Sequence, residues 1–467
     1  MKNYHLIYSL ILAMGALTTQ AQHDLILYNF NAVPQSLHTN PGYAQQTRLW
    51  IGLPVISGIH IGYSNSAFTP GDIFAAGTDI NQNVDNVLAG LDEKSQIGLQ
   101  QDFELLGIGF RTGAGFWTMG VRQVMNFNTD VPGDLLRLAW YGNAPQDNRN
   151  VSLQAFDTEL LHRLNTYVGW QNQYMDDRLS VGARFKYIIG LQHGYTEKTK
   201  ASIVTQDNSS IVLDSDILYR TAGVASFIDG ETPSFNNTIL PQNSGFGIDL
   251  GGTFDLSEKW QISASVLDLG FINWRQNTRN YISQGRFEFN GLDADLSDDQ
   301  PIKDFENILD SLYDAFEFRE VDGESYTRSL APRVFIGGNF RLNDKHSFGA
   351  LYHARFWEDE IYNDFSVNYQ GRLANAFQYT VNYSVINGTY ANVGLGLMAR
   401  LGPVQLYMMS DNVLGAVMLE NLQTSNIRLG LNLAFYDKNK DKKKDKKSKQ
   451  SPVQPATGES KSNTNKK

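Results

Sequence analysis

The fold is decided by residues 245–274, GFGIDLGGTFDLSEKWQISASVLDLGFINW. Every second residue from Phe246 to Leu256 is apolar or small, and glycine, threonine and aspartate fill the positions between them. After a short turn at Ser257–Lys259, the alternation returns from Trp260 to Val266. Because successive side chains of a strand point to opposite faces, this stretch predicts an antiparallel hairpin with one apolar and one small, polar face.

The same alternation recurs along the chain, and no helical layer of matching extent is predicted to cover the apolar face. About 14 such runs can be counted, and short turns alternate with long excursions between them, as in outer-membrane barrels. Closing the sheet removes its unpaired edges. We therefore predict an all-β fold, a transmembrane antiparallel β-barrel of about 14 strands with long extracellular loops and a partly plugged lumen. The alternative is a soluble β-sandwich pair or a propeller.

The first 21 residues have the features of a secretory signal peptide: Lys2, a short apolar core and a small-x-small ending at Ala21. The next segment is broken by Pro34 and by the turn signal Asn40-Pro41-Gly42, and we expect it to pack on or inside the barrel as a plug. The predicted divisions are the signal peptide 1–21, the plug 22–46, the barrel 47–436 and a disordered Lys-rich tail 437–467.

Charge is unevenly distributed along the chain. Residues 437–467 contain 11 Lys against 3 Asp and 1 Glu, so the formal net charge of −10 becomes −17 for the remainder. An acidic body argues against nucleic acid as a partner. The low-complexity tail is predicted to be disordered. It is either a solvated end without a task or a contact for an acidic periplasmic protein or peptidoglycan.

Charged residues fall on the non-apolar positions of the predicted strands, where they would face the lumen. These lumen-facing candidates are Arg111, Arg122, Arg163, Arg184, Lys186, Asp249, Asp255, Arg341, Arg355, Arg400 and Arg428. They allow two interpretations. The charges pair into cross-lumen salt bridges that stiffen the wall, or their cationic excess forms a permeation path or binding chamber that favours anions.

No catalytic, metal or cofactor site is predicted. Cysteine is absent, and the eight His residues show no short metal-ligand spacing. The acidic run Asp293–Asp299 lacks the Gly and the terminal Glu of an EF-hand loop. We therefore expect a protein that is not an enzyme.

Several segments, taken in order, resemble an uncharacterised outer-membrane barrel family of Bacteroidota. They are residues 28–68, Leu91–Leu99, Ser265–Trp274, and the closing SDNVLG and NIRLGLNLAFYD before the Lys-rich tail. The early Asn-Pro-Gly and the strand count are more distantly similar to fatty-acid-transporter-type barrels, where Ala takes the place of Gly42, and to barrels of type IX secretion. The transporter resemblance implies a lumen plugged by an N-terminal segment and a sideways exit for hydrophobic substrates.

Two functions remain open at this stage. In the first, a monomeric barrel in the outer membrane of a Gram-negative cell, with both termini in the periplasm, passively transports or binds small, hydrophobic molecules. In the second, it is a non-transporting component of an envelope complex such as the type IX secretion or gliding machinery. In both functions the barrel is surrounded by outer-membrane lipid, which is its expected partner.

Overall fold

A computed structural model describes most of the barrel and its plug. The described residues are 24–74, 78–91, 94–141, 150–206, 211–224, 243–289, 316–357, 360–374, 376–386, 389–414 and 423–436. The predicted signal peptide, the Lys-rich tail and the acidic run 293–299 lie outside these ranges.

Twenty strands and four short helices make up the described secondary structure. The strands are β1 (Thr47–Gly52), β2 (Ile59–Asn65), β3 (Lys94–Thr112), β4 (Gly115–Pro132), β5 (Asn150–Ser152), β6 (Asp157–Tyr174), β7 (Leu179–Thr205), β8 (Ile211–Ala222), β9 (Ser244–Asp255), β10 (Trp260–Trp274), β11 (Thr278–Phe289), β12 (Arg319–Asp322), β13 (Tyr326–Ser329), β14 (Arg333–Arg341), β15 (His346–Trp357), β16 (Glu360–Ala374), β17 (Phe377–Ile386), β18 (Thr389–Leu401), β19 (Val404–Ser410) and β20 (Thr424–Tyr436). The α-helices are α1 (Leu25–Asn29), α2 (Pro70–Phe74), α3 (Ile80–Gly90) and α4 (Gly133–Tyr141), and Pro34–His38 forms a 3₁₀ turn.

The strands close into an antiparallel barrel. The last strand, β20, pairs with β1 through Trp50 and Ala434 and with β2 through Ile59 and Leu429, while β1 also pairs with β3. Counting β1 with β2 and β13 with β14 as single interrupted strands gives a wall of 14 strands. The strands β5, β8, β11 and β12 continue the sheet beyond one end of the wall. The predicted antiparallel barrel of about 14 strands is therefore confirmed.

The two faces of the wall differ as the alternation in residues 245–274 predicts. In β9, Phe246, Ile248 and Leu250 are between 45% and 48% exposed on the outside, whereas Asp249 between them is 2% exposed inside. An apolar exterior around a closed sheet is the surface that lipid covers, because every backbone group of such a wall is bonded to a neighbouring strand. Among the described residues, no helix is long and apolar enough for a membrane span.

Short connections lie at one end of the barrel. They include residues 113–114, 175–178, 256–259, 342–345 and 402–403. Thr47 at the start of the barrel pairs with Tyr436 at its end, so both limits of the barrel chain lie at this short-turn end. The long connections, which carry α2, α3, α4 and the added strands, lie at the opposite end.

Two β-bulges redirect side chains into the lumen. In β3 an extra residue, Leu105, interrupts the pairing with β4, and in β10 Leu267 and Asp268 together face Asp249 of β9. Asp268 has a φ of 60°, in the left-handed region that aspartate tolerates better than most residues. A bulge shifts the inside–outside alternation by one residue. The shift in β10 brings Asp268 inward, where the period of the residues before it does not place it, and the shift in β3 lets Glu104 before it and Arg111 after it share the inner face.

Candidate functional site

Residues 24–46, which we call the plug, lie inside the barrel. The apolar side chains of α1 and its neighbours are buried and join wall residues in two clusters. Tyr28, for example, stacks on Phe335 of β14 with ring centroids 4.9 Å apart, and its hydroxyl donates to Ser263 of β10. The plug therefore fills part of the lumen with a packed core.

The predicted plug residues Asn40, Pro41 and Gly42 contact the wall at β7 and β9. Asn40 Nδ2 donates to the carbonyl oxygens of Gly252 and Ala264 at 3.3 and 3.4 Å. Its Oδ1 accepts from the backbone N–H of Gly42 at 2.8 Å, which closes the turn. The Asn-Pro-Gly turn thus has a structural task as the bonded tip of the plug.

Two wall glycines make room for this turn. A Cβ at Gly182 would lie 2.0 Å from the Pro41 carbonyl oxygen, and a Cβ at Gly251 would lie 2.2 Å from Asn40 Oδ1. Both positions face inward on neighbouring strands, opposite one another in the register of β7 and β9. Gly182 of β7 and Gly251 of β9 therefore leave room for the plug as well as contributing to the small inner face.

Ion pairs hold the beginning of the plug. The Asp24 carboxylate accepts from Arg428 of β20 and, at 3.1 Å, from Arg333 of β14. Asp24 precedes the membrane-spanning strands. Burial opposes its ionisation, but the neighbouring guanidiniums of Arg428 and Arg333 prevail and hold the pKa of the carboxyl well below its ordinary value. Asp24 is therefore an ionised link between opposite sides of the barrel.

A second polar contact lies beneath the 3₁₀ turn. His38 Nδ1 accepts from Arg184 at 2.9 Å, so Nε2 carries the proton and donates to Glu104 at 3.1 Å. Burial, with the nearby charges of Arg122 and Arg184, holds the pKa of the His38 imidazole well below its ordinary value. Glu104 also accepts from the Tyr167 hydroxyl at 2.9 Å. His38 is therefore a neutral bridge between the plug and the wall.

Asp268 is the charge centre of the lumen. Its Oδ1 accepts from Lys186 at 2.6 Å and from Arg163 at 3.4 Å, and its Oδ2 accepts from Arg333 at 3.1 Å. Its backbone N–H donates to Asp249 at 2.8 Å, which fixes the bulge. Arg163, Asp268 and Arg333 line two cavities at once, one on each side of them. We call these three residues the floor.

On one side of the floor the lumen is nearly full. The cavity there has a volume of about 20 Å³, room for about one water molecule, and is bounded by plug residues Asp24 and His38. On the other side is a chamber of about 370 Å³. The chamber is lined by Asn126, Asn128, Glu159, Leu161, Arg163, Asp268, Arg355, Phe356, Trp357 and residues 327–333.

At the side of the chamber away from the floor, the Glu159 carboxylate is held by hydrogen bonds. Glu159 accepts from Arg328 at 3.0 Å and from His193 at 3.2 Å on one oxygen, and from Trp357 Nε1 at 2.6 Å on the other. These donors satisfy both carboxylate oxygens.

The structure divides the predicted lumen-facing residues into three groups. Around the plug and floor it brings together Arg122, Arg163, Arg184, Lys186, Asp249 and Arg428. Arg355 lies apart from these, on the chamber wall. Near the short-turn end are Arg111, which donates to the Gln45 carbonyl oxygen, the Asp255–Arg341 pair, and Arg400 over the Tyr436 ring.

Several functional residues were missed by the sequence reasoning. Asp268 faces inward because of the bulge in β10, and the period of the residues before it gives no signal for it. Asp102 and Glu104 alternate with Ile97, Leu99, Phe103 and Leu105 ahead of the bulge in β3, so the local period of two was a signal for them. The sequence could have predicted that Arg333 and Glu159 face the lumen, because they fall on the same alternating strand positions as Arg341 and Arg163. Among the described residues, no group of three or more His, Asp or Glu side chains is arranged to hold a metal ion.

Comparison with solved structures finds barrels of transporters. The Ralstonia pickettii toluene transporter TbuX aligns at 11% identity and a TM-score of 0.41 over 86% of this chain and 94% of its own. The Pseudomonas putida toluene transporter TodX aligns at 9% identity and 0.40 over 85% and 92%. A Pseudomonas aeruginosa FadL homologue aligns at 9% identity and 0.42 over 86% and 94%.

Among curated proteins, nothing matches this chain. A family model matches residues 41–411, which include the Pro-Gly of the plug tip and all but the last strand of the wall. That model is described as a family of unknown function, DUF5723. Since it covers more than half of the sequence, the chain belongs to the DUF5723 family.

Proposed function

We propose that this protein is an outer-membrane barrel that admits small molecules to its chamber and passes them inward by passive transport. The chamber carries the proposal. Its volume of about 370 Å³ lies within the range of pockets that bind small organic molecules, about 300–1,000 Å³. The apolar exterior of the closed wall supports the membrane location, and the limits of the barrel chain at the short-turn end support periplasmic termini.

The lining of the chamber suits an organic solute. Leu161, Leu330 and Trp357 offer apolar surface beside the arginines and amides. Residues 330–332 belong to no strand and interrupt the wall between β13 and β14. Pro332 within this break donates no backbone hydrogen bond. The Leu330 N–H still donates to Gly270 of β10 at 2.9 Å and the Pro332 carbonyl oxygen accepts from Phe356 of β15 at 2.9 Å, so the wall stays bonded around the break. The floor separates the chamber from the plug.

Inward passage along the lumen requires the plug to shift. The cavity beneath the floor holds about one water molecule, and Asp24 joins the plug to Arg333 of the floor. We infer that a solute leaves the chamber inward only when this contact opens. We assign no enzymatic activity to the barrel.

Solute uptake into liposomes that contain the purified protein tests this function. Benzamide is a suitable probe because it is small, uncharged and aromatic. We expect protein-dependent uptake, and we expect faster uptake with Asp24→Asn, because the loss of its charge weakens the contacts with Arg333 and Arg428. Asp255→Asn is the matched control, since Asp255 pairs with Arg341 away from the chamber.

The same assay addresses the alternative of a structural component in an envelope complex. Deleting residues 437–467 should leave uptake unchanged if the barrel transports. Uptake that is absent in the full chain, together with partner proteins that are lost on this deletion, would favour the alternative. In the part of the chain that the structure describes, we find no observation that favours it.

A further inference from the structure

The end of the β15–β16 hairpin is bonded to the opposite wall of the barrel. Trp357 of β15 donates from Nε1 to Glu159 of β6 at 2.6 Å, and Gln96 of β3 donates to the Tyr362 hydroxyl of β16 at 3.1 Å. The strands β7, β9, β10 and β14 stand between β6 and β15 in the wall. The strands β17 to β20, with β1 and β2, stand between β16 and β3. Both bonds therefore cross the lumen.

The bond between Trp357 and Glu159 lies farther from the short-turn end than the floor does. Along β6, which runs towards the short-turn end, Glu159 precedes Arg163 of the floor. The strand β15 runs the other way, and Trp357 follows Arg355, the cross-strand partner of Arg333 in the floor. Glu159 and Trp357 both line the chamber. A solute that enters the lumen from the end with the long connections therefore meets this bond before it reaches the floor.

The Glu159 carboxylate is a fixed anchor for the hairpin. One of its oxygens accepts from His193 of the adjacent strand β7 at 3.2 Å and from Arg328 of β13 at 3.0 Å, and the other oxygen accepts from Trp357. A hydrogen bond to an ionised carboxylate is roughly twice as strong as one between neutral groups. The end of the hairpin is therefore held by a strong bond to a partner that is itself held in place.

The ladders of the wall stop before the hairpin does. Between described residues, the ladder of β15 with β14 ends at Arg355, and one further bond joins the Phe356 N–H to the Pro332 carbonyl oxygen at 2.9 Å. The ladder of β16 with β17 ends at Asp364. Residues 357 and 360–363, which we call the lid, continue the hairpin beyond both ladders. Because the lid is paired along its backbone with itself, it can move while the ladders keep the wall closed.

We propose that the lid opens and closes the entrance of the chamber, and that the bonds of Trp357 to Glu159 and of Tyr362 to Gln96 hold it closed. This inference rests on the proposed function and deepens it by naming the entrance. A solute enters when both bonds break and the lid swings away from the opposite wall. The chamber then lies between two closures, the lid on the outer side and the contact of Asp24 with the floor on the inner side.

Benzamide uptake into liposomes tests the lid through Trp357→Phe. Phenylalanine keeps an aromatic ring but has no N–H to donate to Glu159. We expect uptake about tenfold faster than with the natural protein, because the loss of one charge-assisted hydrogen bond raises the fraction of open lids by about that factor. Trp170→Phe is the matched control and should leave uptake unchanged, because Trp170 donates to the Ala114 carbonyl oxygen at the short-turn end of β6.

The second bond gives an independent variant. Tyr362→Phe removes the hydroxyl that accepts from Gln96 and keeps the ring. We expect uptake about threefold faster, since a bond between neutral groups is weaker than the bond to Glu159. Uptake that is no faster in Trp357→Phe and Tyr362→Phe than in Trp170→Phe would overturn the lid while the proposed transport stands. Uptake by no variant and not by the natural protein would overturn the proposed function, and the lid with it.

Spin labels measure the position of the lid directly. The chain has no cysteine, so Ile361→Cys in the lid and Gln154→Cys before β6 provide one labelled pair at exposed positions. We expect a single distance between the labels in the otherwise natural protein and a second, longer distance when Trp357→Phe is added. Adding Trp170→Phe should leave the single distance unchanged. The same distances with Trp357→Phe as with Trp170→Phe would overturn the lid, whatever the uptake.

Discussion

On both sides of the floor the barrel wall has an apolar outer face and a polar inner face, but the contents of the lumen differ between the two sides. On the plug side, carboxylates from the plug and the bulges meet nearly every arginine: Asp24 meets Arg428, and Asp102 meets Arg122. On the chamber side, arginines and the acids Glu159 and Asp268 surround an open volume of about 370 Å³. Close ion pairs and packed apolar residues make a seal on one side, whereas the other side keeps space inside a polar wall.

This difference between the two sides of the floor also bears on the two interpretations of the charged, lumen-facing positions, which are salt bridges that stiffen the wall and a chamber that favours anions. Salt bridges describe the plug side, where Lys186 bridges Asp249 and Asp268 on the next two strands at 2.5 and 2.6 Å and Asp24 joins Arg428 to Arg333 across the lumen. The anion-favouring interpretation stays a prediction for the other side, where Arg355 lies on the chamber wall.

Removal of the shared charge centre should have the largest effect. Asp268→Asn keeps a residue that tolerates the φ of 60° but leaves Lys186, Arg163 and Arg333 around a neutral amide. We expect a loss of about 3–5 kcal/mol in the free energy of unfolding, as for a broken buried pair. Urea unfolding in lipid vesicles measures it.

The control for that variant is Asp255→Asn. Asp255 is 25% exposed and its partner Arg341 is 42% exposed, so solvent screens the pair. We expect a change of about 0–1 kcal/mol in the free energy of unfolding. Equal losses in the free energy of unfolding for the two variants would show that the buried ion pairs of Asp268 stabilise the barrel no more than the exposed pair of Asp255. The two sides of the floor would then not depend on Asp268.

Displacement of the plug tip should have the next largest effect. In Gly251→Val the new side chain would overlap Asn40, whose Oδ1 lies 2.2 Å from the position of a Cβ. We expect a cost of about 1–3 kcal/mol, as for overpacking, and faster protease cleavage of the plug in folded barrels. Gly338→Val is the control, because no atom lies within 4 Å of a Cβ at Gly338. A plug that stays protected in Gly251→Val would contradict the close contact.

Acidification should loosen the plug by a smaller amount. The pKa of His38 is lowered in the folded protein, so the unfolded chain binds the proton first. The stability that neutral His38 contributes is complete above the ordinary histidine pKa of about 6.5 and decreases as the pH falls below it. The expected loss of this stability is about 1.4 kcal/mol for each pH unit below that value.

Protease cleavage of the plug between pH 7 and pH 5 measures this loss. The control is His38→Gln, in which the amide can accept from Arg184 and donate to Glu104 without titrating. Cleavage should then be nearly independent of pH over that range. A natural protein whose plug is equally protected at both pH values would rule out a neutral His38 as a plug contact.

The sequence by itself determined the wall. Its alternation from Phe246 to Val266 predicts which side chains face outward, because a β-strand turns successive residues to opposite faces. It also placed Arg163, Arg184 and Arg355 inside, and it identified Asn40-Pro41-Gly42 as a break in the chain that packs against the barrel. These are local properties, and a pattern of near neighbours is enough to read them.

Only the tertiary structure decided the floor and the chamber. The bulge at Asp268 turns an acid inward against the period of the residues before it, since bulges depend on how one strand pairs with the next. The pairing of Asp24 with Arg428 joins residues 404 positions apart. How much of the lumen stays open follows from where the plug ends inside the barrel, and no local pattern specifies that distance.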